Sequence, residues 1–175
     1  MWLETRPTGP SSNLVVVRAR KALGTRRIGH AGTLDPLAEG LLVLLAGNAT
    51  RLFDHFQEFD KTYVAGFRLG ARTDSQDITG APLGGWSPEC PPPLDRAALD
   101  AALACFRGNI LQTPPMHSAL KKDGQPLYKL ARRGETVERA PRPVTVRRLE
   151  VESFDGTEGR LAMTVSKGFY VRTLV

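Results

Sequence analysis

Three segments of the chain alternate apolar and polar residues, and this pattern restricts the possible folds more than any other feature. They span residues 61–69, 143–154 and 161–166. Because a period of two sends successive side chains to opposite faces, each segment predicts a strand with one face more buried than the other. The apolar run LLVLLA at residues 41–46 predicts a further strand that is fully buried. The chain must therefore build a sheet.

Apolar residues at helical spacing lie between these strands. A first helix is predicted to begin at Ser11 or Ser12, either of which can cap it, and to stop at Gly24. The phenylalanines of residues 50–60 predict a second helix that packs its aromatic side chains inward.

The second half of the chain adds shorter elements. Residues 84–95 predict a surface loop, and the helix that follows is predicted to begin at Asp95 and to close at Gly108. A hairpin turn is predicted at residues 123–124 and a short helix at residues 126–133. Antiparallel-looking strands with scattered helices predict an α+β fold in one domain.

The charge of the chain favours a polyanionic partner. Its 175 residues carry a net charge of +6. Residues 1–34 contain six Lys or Arg and one Glu, and residues 114–139 contain six Lys or Arg and three acidic residues. This clustering favours a nucleic acid, with a solvated basic face as the alternative. No apolar run approaches the roughly 20 residues that cross a bilayer, and the two cysteines lack C-x-x-C spacing, so the cytoplasm is expected.

The densest candidate for a functional site is GHAGTLDPLAEG at residues 29–40, whose composition predicts a loop. Its glycines let the backbone approach a ligand, and Pro36 stiffens the chain after Asp35. An Asp-Pro pair can simply open a turn, but such a loop can also hold a carboxylate at a pocket as nucleophile or base. A carboxylate in a dry pocket needs a cation to stay ionised, and Lys167 and Arg172 are candidates.

Several common chemistries find no support in the sequence. It contains no Walker-type loop, no strand-bound G-x-G-x-x-G and no G-x-S-x-G. The three histidines lack metal-ligand spacing, so no metal site is predicted. His55, beside Asp54, is predicted to be a surface or packing residue.

Five motifs, in order along the chain, resemble a known family. They are GHAGTLDPLAEGLL, DKTY, RLGARTDSQDITG, MHSALKKDGQPLYKLARRGE and SKGFYVRTL, at residues 29–42, 60–63, 68–80, 116–135 and 166–174. Together they resemble the bacterial tRNA pseudouridine-55 synthases of the TruB type, from about residue 5 to the last residue. Guide-RNA-dependent archaeal and eukaryotic relatives share the first motif, but the compact spacing favours the bacterial enzyme.

The resemblance implies an enzyme that isomerises uridine to pseudouridine at position 55 in the tRNA T-loop, as a cytoplasmic monomer without cofactor or metal. It implies the pseudouridine-synthase catalytic fold, with a mixed, mainly antiparallel sheet flanked by helices. Asp35 corresponds to the catalytic aspartate, and Tyr63 to a tyrosine that stacks on the flipped base. Arg172 corresponds to the arginine that pairs with the aspartate, and Tyr170, in the same predicted strand, lines the pocket. His30 corresponds to a histidine on the RNA-facing side.

The resemblance also gives the basic clusters a role. Arg26 and Arg27 precede the catalytic loop, where phosphates beside the target nucleotide are expected. Residues 114–140 correspond to an RNA-clamping insertion, whose phosphate contacts are predicted to be Lys121, Lys122, Lys129, Arg132 and Arg133. The implied partner is the T-arm stem-loop of tRNA.

Two departures from the family pattern leave alternatives open. The family usually has Asp-Lys-Pro near the N-terminus, where this chain has Thr5-Arg6-Pro7, so the support that these residues give the pocket is in question. The family continues past Y-x-R-T with more of the catalytic domain and usually a small RNA-binding domain, so a C-terminally incomplete catalytic domain is implied. A tRNA-binding module without chemistry and a poorly folded fragment therefore remain alternatives.

Overall fold

The computed structural model of the chain describes residues 1–83 and 94–175. Most of the surface loop predicted at residues 84–95 lies outside the described residues. The chain divides into two compact units, Met1–Phe59 and Asp60–Val175, each with its own sheet and its own hydrophobic core.

The first unit contains three antiparallel strands in the order β1-β3-β2. Its elements are β1 (Trp2–Arg6), α1 (Ser12–Leu23), β2 (Ile28–His30), β3 (Gly40–Ala46), a 3-10 helix (Gly47–Leu52) and α2 (Phe53–Gln57). The glycine-rich motif is not a loop throughout, because Gly29 and His30 pair with Leu45 and Leu44 of β3. Backbone pairing to a neighbouring strand offsets the low strand propensity of this segment.

The first predicted helix is confirmed as α1. The Ser11 hydroxyl accepts a hydrogen bond from the Leu14 N–H at 3.2 Å, and Gly24 ends the helix in the left-handed conformation, with φ 60°. Val15 and Val16 are buried against Ile28, Leu42 and Leu44, which form the core of this unit. The predicted strand is also confirmed as β3, but it is not fully buried, because Leu41 is 59% exposed.

We expect the Ser11→Ala variant to lose about 1 kcal/mol of the free energy of unfolding, because the Leu14 N–H loses its capping acceptor. Urea denaturation followed by circular dichroism measures this loss. The matched control is Asn13→Ala, an exposed change in the same turn that should cost nothing. An equal loss in both variants would contradict the capping role.

The predicted second helix is wrong in its length and in its packing. A 3-10 turn and the five-residue α2 replace it, and Phe53 and Phe59 are 43% and 48% exposed. The rings of His55, Phe56 and Phe59 contact one another edge-on, with centroids 5.0 to 5.9 Å apart. So short a helix offers no extended inward face, and its rings cover each other instead. His55 is exposed and packs on these rings, as predicted.

The second unit contains a four-stranded antiparallel sheet in the order β4-β9-β8-β5. Its elements are β4 (Lys61–Arg68), α3 (Arg96–Ala104), β5 (Gly108–Gln112), β6 (Lys121–Lys122), β7 (Gln125–Pro126), α4 (Leu127–Ala131), β8 (Arg142–Phe154), β9 (Glu158–Val165) and α5 (Val171–Leu174). The three alternating segments are confirmed as β4, β8 and β9. The α+β fold class with mainly antiparallel strands is confirmed as well.

The core of the second unit lies between this sheet and α3. Leu99 and Leu103 of α3 pack with Leu149, Leu161 and Met163 of the two central strands. Asp95 caps α3 by accepting from the Ala98 N–H at 2.7 Å, as the sequence predicts.

Two predictions in this unit need correction at their ends. The third helix stops at Ala104, and Gly108, with φ 78°, begins β5 rather than closing the helix. The segment after Gly168 is not a strand: the one-turn helix α5 follows Tyr170. Gly108 begins a strand because β5 pairs with β8, which lies far along the chain. The residue before α5, Tyr170, hydrogen-bonds through its backbone to the Gln112 side chain, 58 positions away. The Asp123-Gly124 turn is confirmed between β6 and β7.

Candidate functional site

The loop between β2 and β3 carries Asp35, and its backbone is held on both sides of that residue. The buried Ser12 hydroxyl accepts from the Leu34 N–H at 3.0 Å, and the Gly9 N–H donates to the Pro36 carbonyl at 2.9 Å. Asp35 itself is half-buried. Contacts on both neighbours fix the position of its backbone, so the carboxylate is presented from a rigid loop.

Arg6, at the end of β1, hydrogen-bonds to the backbone of the same loop. Its side chain is fully buried, and its guanidinium donates to the carbonyls of Asp35, Ala38 and Pro10. Among the described residues, no atom accepts from the Arg6 Nε. The Arg that departs from the family pattern is therefore packed directly against the backbone of the predicted catalytic residue.

His30 ends β2 at the start of the loop. Its Nδ1 lies 2.7 Å from the Gly32 carbonyl oxygen. Because a carbonyl can only accept, we assign the proton to Nδ1. In the neutral ring the Nε2 of His30 is then a hydrogen-bond acceptor.

Tyr63 lies on β4, where it pairs with Met163 of β9. It is half-buried and shares its face of the strand with Ala65 and Phe67, which pack against the core of the second unit. Strand pairing therefore fixes the Tyr63 backbone, and with it the direction in which the side chain leaves the strand.

Tyr170 and Arg172 lie at the end of the second unit, on either side of the start of α5. The Gln112 side chain donates to the Tyr170 carbonyl and accepts from the Tyr170 N–H. Arg172 donates from its two terminal nitrogens to the carbonyls of Ser75 and His117, each at 2.8 Å. A planar guanidinium reaches the two acceptors with two separate nitrogens, whereas a lysine donates from a single nitrogen.

Asp77 belongs to the loop that Arg172 contacts. Burial raises the pKa of the Asp77 carboxyl, but hydrogen bonds from Thr79 and Ser75 and the positive charge of Arg172 lower it more. The net pKa lies below its usual range, so Asp77 is ionised at neutral pH. This carboxylate stabilises the loop that accepts from Arg172.

The predicted phosphate contacts of the first unit flank the start of β2. Arg26 and Arg27 are exposed. The Arg27 side chain donates to the Thr50 hydroxyl at 3.1 Å and to the Asn48 side chain at 3.3 Å. These contacts with neutral groups orient the guanidinium and leave its charge uncompensated by them.

The predicted contacts of the second unit lie on the β6–β7 hairpin and on or just after α4. All are exposed: Lys121, Lys122, Lys129, Arg132 and Arg133. The guanidinium carbon of Arg132 lies 5.6 Å from the Tyr128 ring centroid. Arg133 pairs with Glu135 at 2.6 Å, an exposed pair of a kind worth about 0 to 1 kcal/mol, so a phosphate can displace it.

Two features are absent from the described residues. Across residues 1–83 and 94–175, no group of three or more His, Cys, Asp or Glu side chains is arranged to hold a metal ion. Within the part of the chain that the structure describes, no helix is long and apolar enough to cross a membrane.

Residues 20–171 match the sequence model of a protein family, the N-terminal domain of the TruB family pseudouridylate synthases. The chain belongs to this family. The match includes Asp35, Tyr63 and Tyr170, and it extends almost to Arg172. The resemblance drawn from the five motifs is thereby confirmed.

TruB-family relatives and solved structures agree with this membership. The chain is 47% identical to the tRNA pseudouridine synthase B of Stutzerimonas stutzeri, covering 97% of this chain and 54% of that protein. The same enzyme of Burkholderia lata is 49% identical, with coverage of 97% and 51%. The chain therefore spans about half the length of these relatives.

The solved structures extend the comparison to the fold. A Cbf5-Nop10-Gar1 complex contains a chain with a TM-score of 0.69 and 26% identity, covering 97% of this chain and 40% of that one. A structure of an H/ACA RNP bound to a substrate RNA with 2'-deoxyuridine gives a TM-score of 0.66 at 23% identity, covering 97% and 38%, and shows the fold alone.

The sequence did not indicate the Gln112 contact with Tyr170 and did not show what Arg6 contacts. The sequence marks Arg6 as a departure from the family pattern, but its three acceptors lie up to 32 residues away. Gln112 contacts a residue 58 positions away, and nothing in its local sequence indicates that contact. Both contacts depend on tertiary structure.

Proposed function

We propose that this chain carries the catalytic centre of a tRNA pseudouridine-55 synthase, with Asp35 as the catalytic residue. The observation that carries the proposal is the loop between β2 and β3, whose backbone is held by Arg6, Ser12 and Gly9. Simple RNA binding needs no carboxylate fixed in this way. Identity of 47% with a tRNA pseudouridine synthase B supports the same substrate class.

The proposed reaction breaks the C1′–N1 bond of uridine and forms a C1′–C5 bond. The proton on C5 leaves and N1 gains one, so the exchange involves no net oxidation and calls for no redox cofactor. Asp35 would attack the sugar or the base, or take a proton from the sugar. Flipping the uridine out of the T-loop costs a few kcal/mol. Stacking on Tyr63, worth about 1 to 3 kcal/mol, would offset much of that cost.

The other proposed site residues supply charge and shape. Arg172 would supply positive charge to the proposed catalytic centre, where a cation favours the charged form of a carboxyl. Tyr170 would line the base pocket. His30 would face the RNA and fill the space that the flipped nucleotide leaves. We propose that the active species is a cytoplasmic monomer, with residues 114–140 as the RNA-clamping insertion of the catalytic domain.

Binding of a T-arm stem-loop is expected to weaken steeply with salt, because phosphate contacts release counterions. In Lys121→Ala and Arg132→Ala, the slope of log K against log salt should become shallower by about 1 for each lost phosphate contact. Fluorescence anisotropy of a labelled stem-loop at several salt concentrations measures this slope.

The matched control is Arg148→Ala, which removes an exposed arginine whose guanidinium is already bound to Glu150. Its slope should equal that of the wild type. A flat salt response of the wild type, or the same slope in all the variants, would contradict the proposed clamp.

A further inference from the structure

Gln112, the last residue of β5, makes a two-point contact with the backbone of Tyr170. Its Nε2 donates to the Tyr170 carbonyl at 3.0 Å, and its Oε1 accepts from the Tyr170 N–H at 2.8 Å. A primary amide can do this because it carries a donor and an acceptor side by side. Gln112 is 6% exposed, so water does not readily replace these bonds.

The segment that follows Tyr170 cannot hold its position alone. The helix α5 has four residues, far fewer than an isolated helix needs to be stable. Phe169, Val171 and Leu174 pack at the edge of the second core. This packing sets the depth of the segment, and the polar contacts of Gln112 set the register and direction of its backbone.

We propose that Gln112 is a positioning residue that fixes the Tyr170 backbone and so directs the Tyr170 and Arg172 side chains. This inference rests on the proposed function, in which those two side chains serve the base pocket and the catalytic carboxylate. Gln112 touches no substrate atom in this role. The Arg172 bonds to Ser75 and His117 are the second attachment of the same segment.

The Gln112→Glu variant separates positioning from simple packing, because its effect depends on protonation. As a carboxylate, the new side chain accepts from the Tyr170 N–H but faces the Tyr170 carbonyl with a second acceptor. As a neutral acid, it has one donor and one acceptor, and it restores both bonds. Burial against a carbonyl disfavours the charged form and raises the pKa of the introduced carboxyl.

The measurement is the single-turnover rate of pseudouridine formation in a T-arm stem-loop, divided by the wild-type rate at the same pH. We expect Gln112→Glu to be about 100-fold slower at about pH 8 and within about threefold of the wild type at about pH 5.5. Gln112→Ala should be about 100-fold slower at both values, with its RNA Kd within about twofold of the wild type. The ratio removes the pH dependence that both proteins share.

The matched control is Asn109→Asp, which makes the same amide-to-acid change on the same strand at an exposed position. Asn109 Oδ1 accepts from the Thr145 hydroxyl at 2.8 Å, and a carboxylate keeps that bond. Its rate ratio should stay flat with pH. A pH-independent ratio for a folded Gln112→Glu would overturn the positioning role. If Gln112→Ala fails to fold, the result for Gln112→Glu alone decides the test.

A second readout does not require activity. Hydrogen exchange at the Tyr170 amide, measured by NMR, should be at least about tenfold faster in Gln112→Ala than in the wild type, because the N–H loses its acceptor. Unchanged exchange would overturn the contact itself. A wild type that forms no pseudouridine, together with faster exchange in Gln112→Ala, would overturn the proposed function and leave the Gln112 contact supported.

Discussion

The Asp35→Asn variant is expected to form pseudouridine in a T-arm stem-loop at least about 10⁴-fold more slowly than the wild type. An amide cannot act as the nucleophile or as the base, whichever role the carboxylate has. The change should leave the loop intact, because the loop is held by backbone atoms: the Asp35 carbonyl accepts from Arg6, and the Leu34 N–H donates to Ser12. The variant therefore tests the carboxylate alone.

Glu39→Gln is the matched control for Asp35→Asn. Glu39 is exposed on the same loop, so this variant loses the same charge without touching the proposed chemistry. Its rate should stay within about twofold of the wild type, because an isolated exposed charge contributes little. Anisotropy should show that both variants bind the stem-loop with the wild-type Kd.

The two alternatives to an active isomerase give different results in the same experiment. Wild type and Asp35→Asn that are equally inactive while both bind RNA would support a binding module. A circular dichroism spectrum of an unfolded chain would support the fragment. A folded wild type with activity that depends on Asp35 supports the proposed enzyme.

Local sequence signals predicted the elements whose ends are determined locally. The helix α1 has a capping serine and a terminal glycine within its own segment, and its prediction is confirmed. The strand β5 was missed because its pairing partner, β8, begins 30 residues after its last residue. The sequence after Gly168 predicts an extended segment, but the Tyr170 N–H donates to the Gln112 side chain and the helix α5 begins at the next residue.

In the candidate site, too, some residues are marked by the local sequence and others only by tertiary contacts. Asp35, Tyr63 and Arg172 were predicted because a family motif marks each of them, and their participation in catalysis stays a prediction. Arg6 donates to the backbone carbonyl of Asp35, and Gln112 bonds to the backbone of Tyr170, two residues before Arg172. A backbone partner leaves no signature in the identity of the residue contacted, so these supports became visible in the fold alone.

Arg6→Ala should lower the free energy of unfolding by at least about 3 kcal/mol, because three partly buried carbonyls lose a charged donor. Arg6→Lys should lose less than half of that. An ammonium keeps the charge and can reach some of these acceptors, and it also removes the buried Nε that has no acceptor among the described residues. Urea denaturation measures both losses.

Arg18→Ala is the control for Arg6→Ala, since Arg18 is an exposed arginine of the same unit, and it should cost less than about 0.5 kcal/mol. A loss as small as this in Arg6→Ala would contradict the structural role. Arg6→Lys adds a functional test, because a lysine donates from one point and holds the Asp35 carbonyl less rigidly. We expect its single-turnover rate to fall about tenfold with an unchanged RNA Kd, as a displaced loop misplaces the carboxylate without touching the RNA contacts.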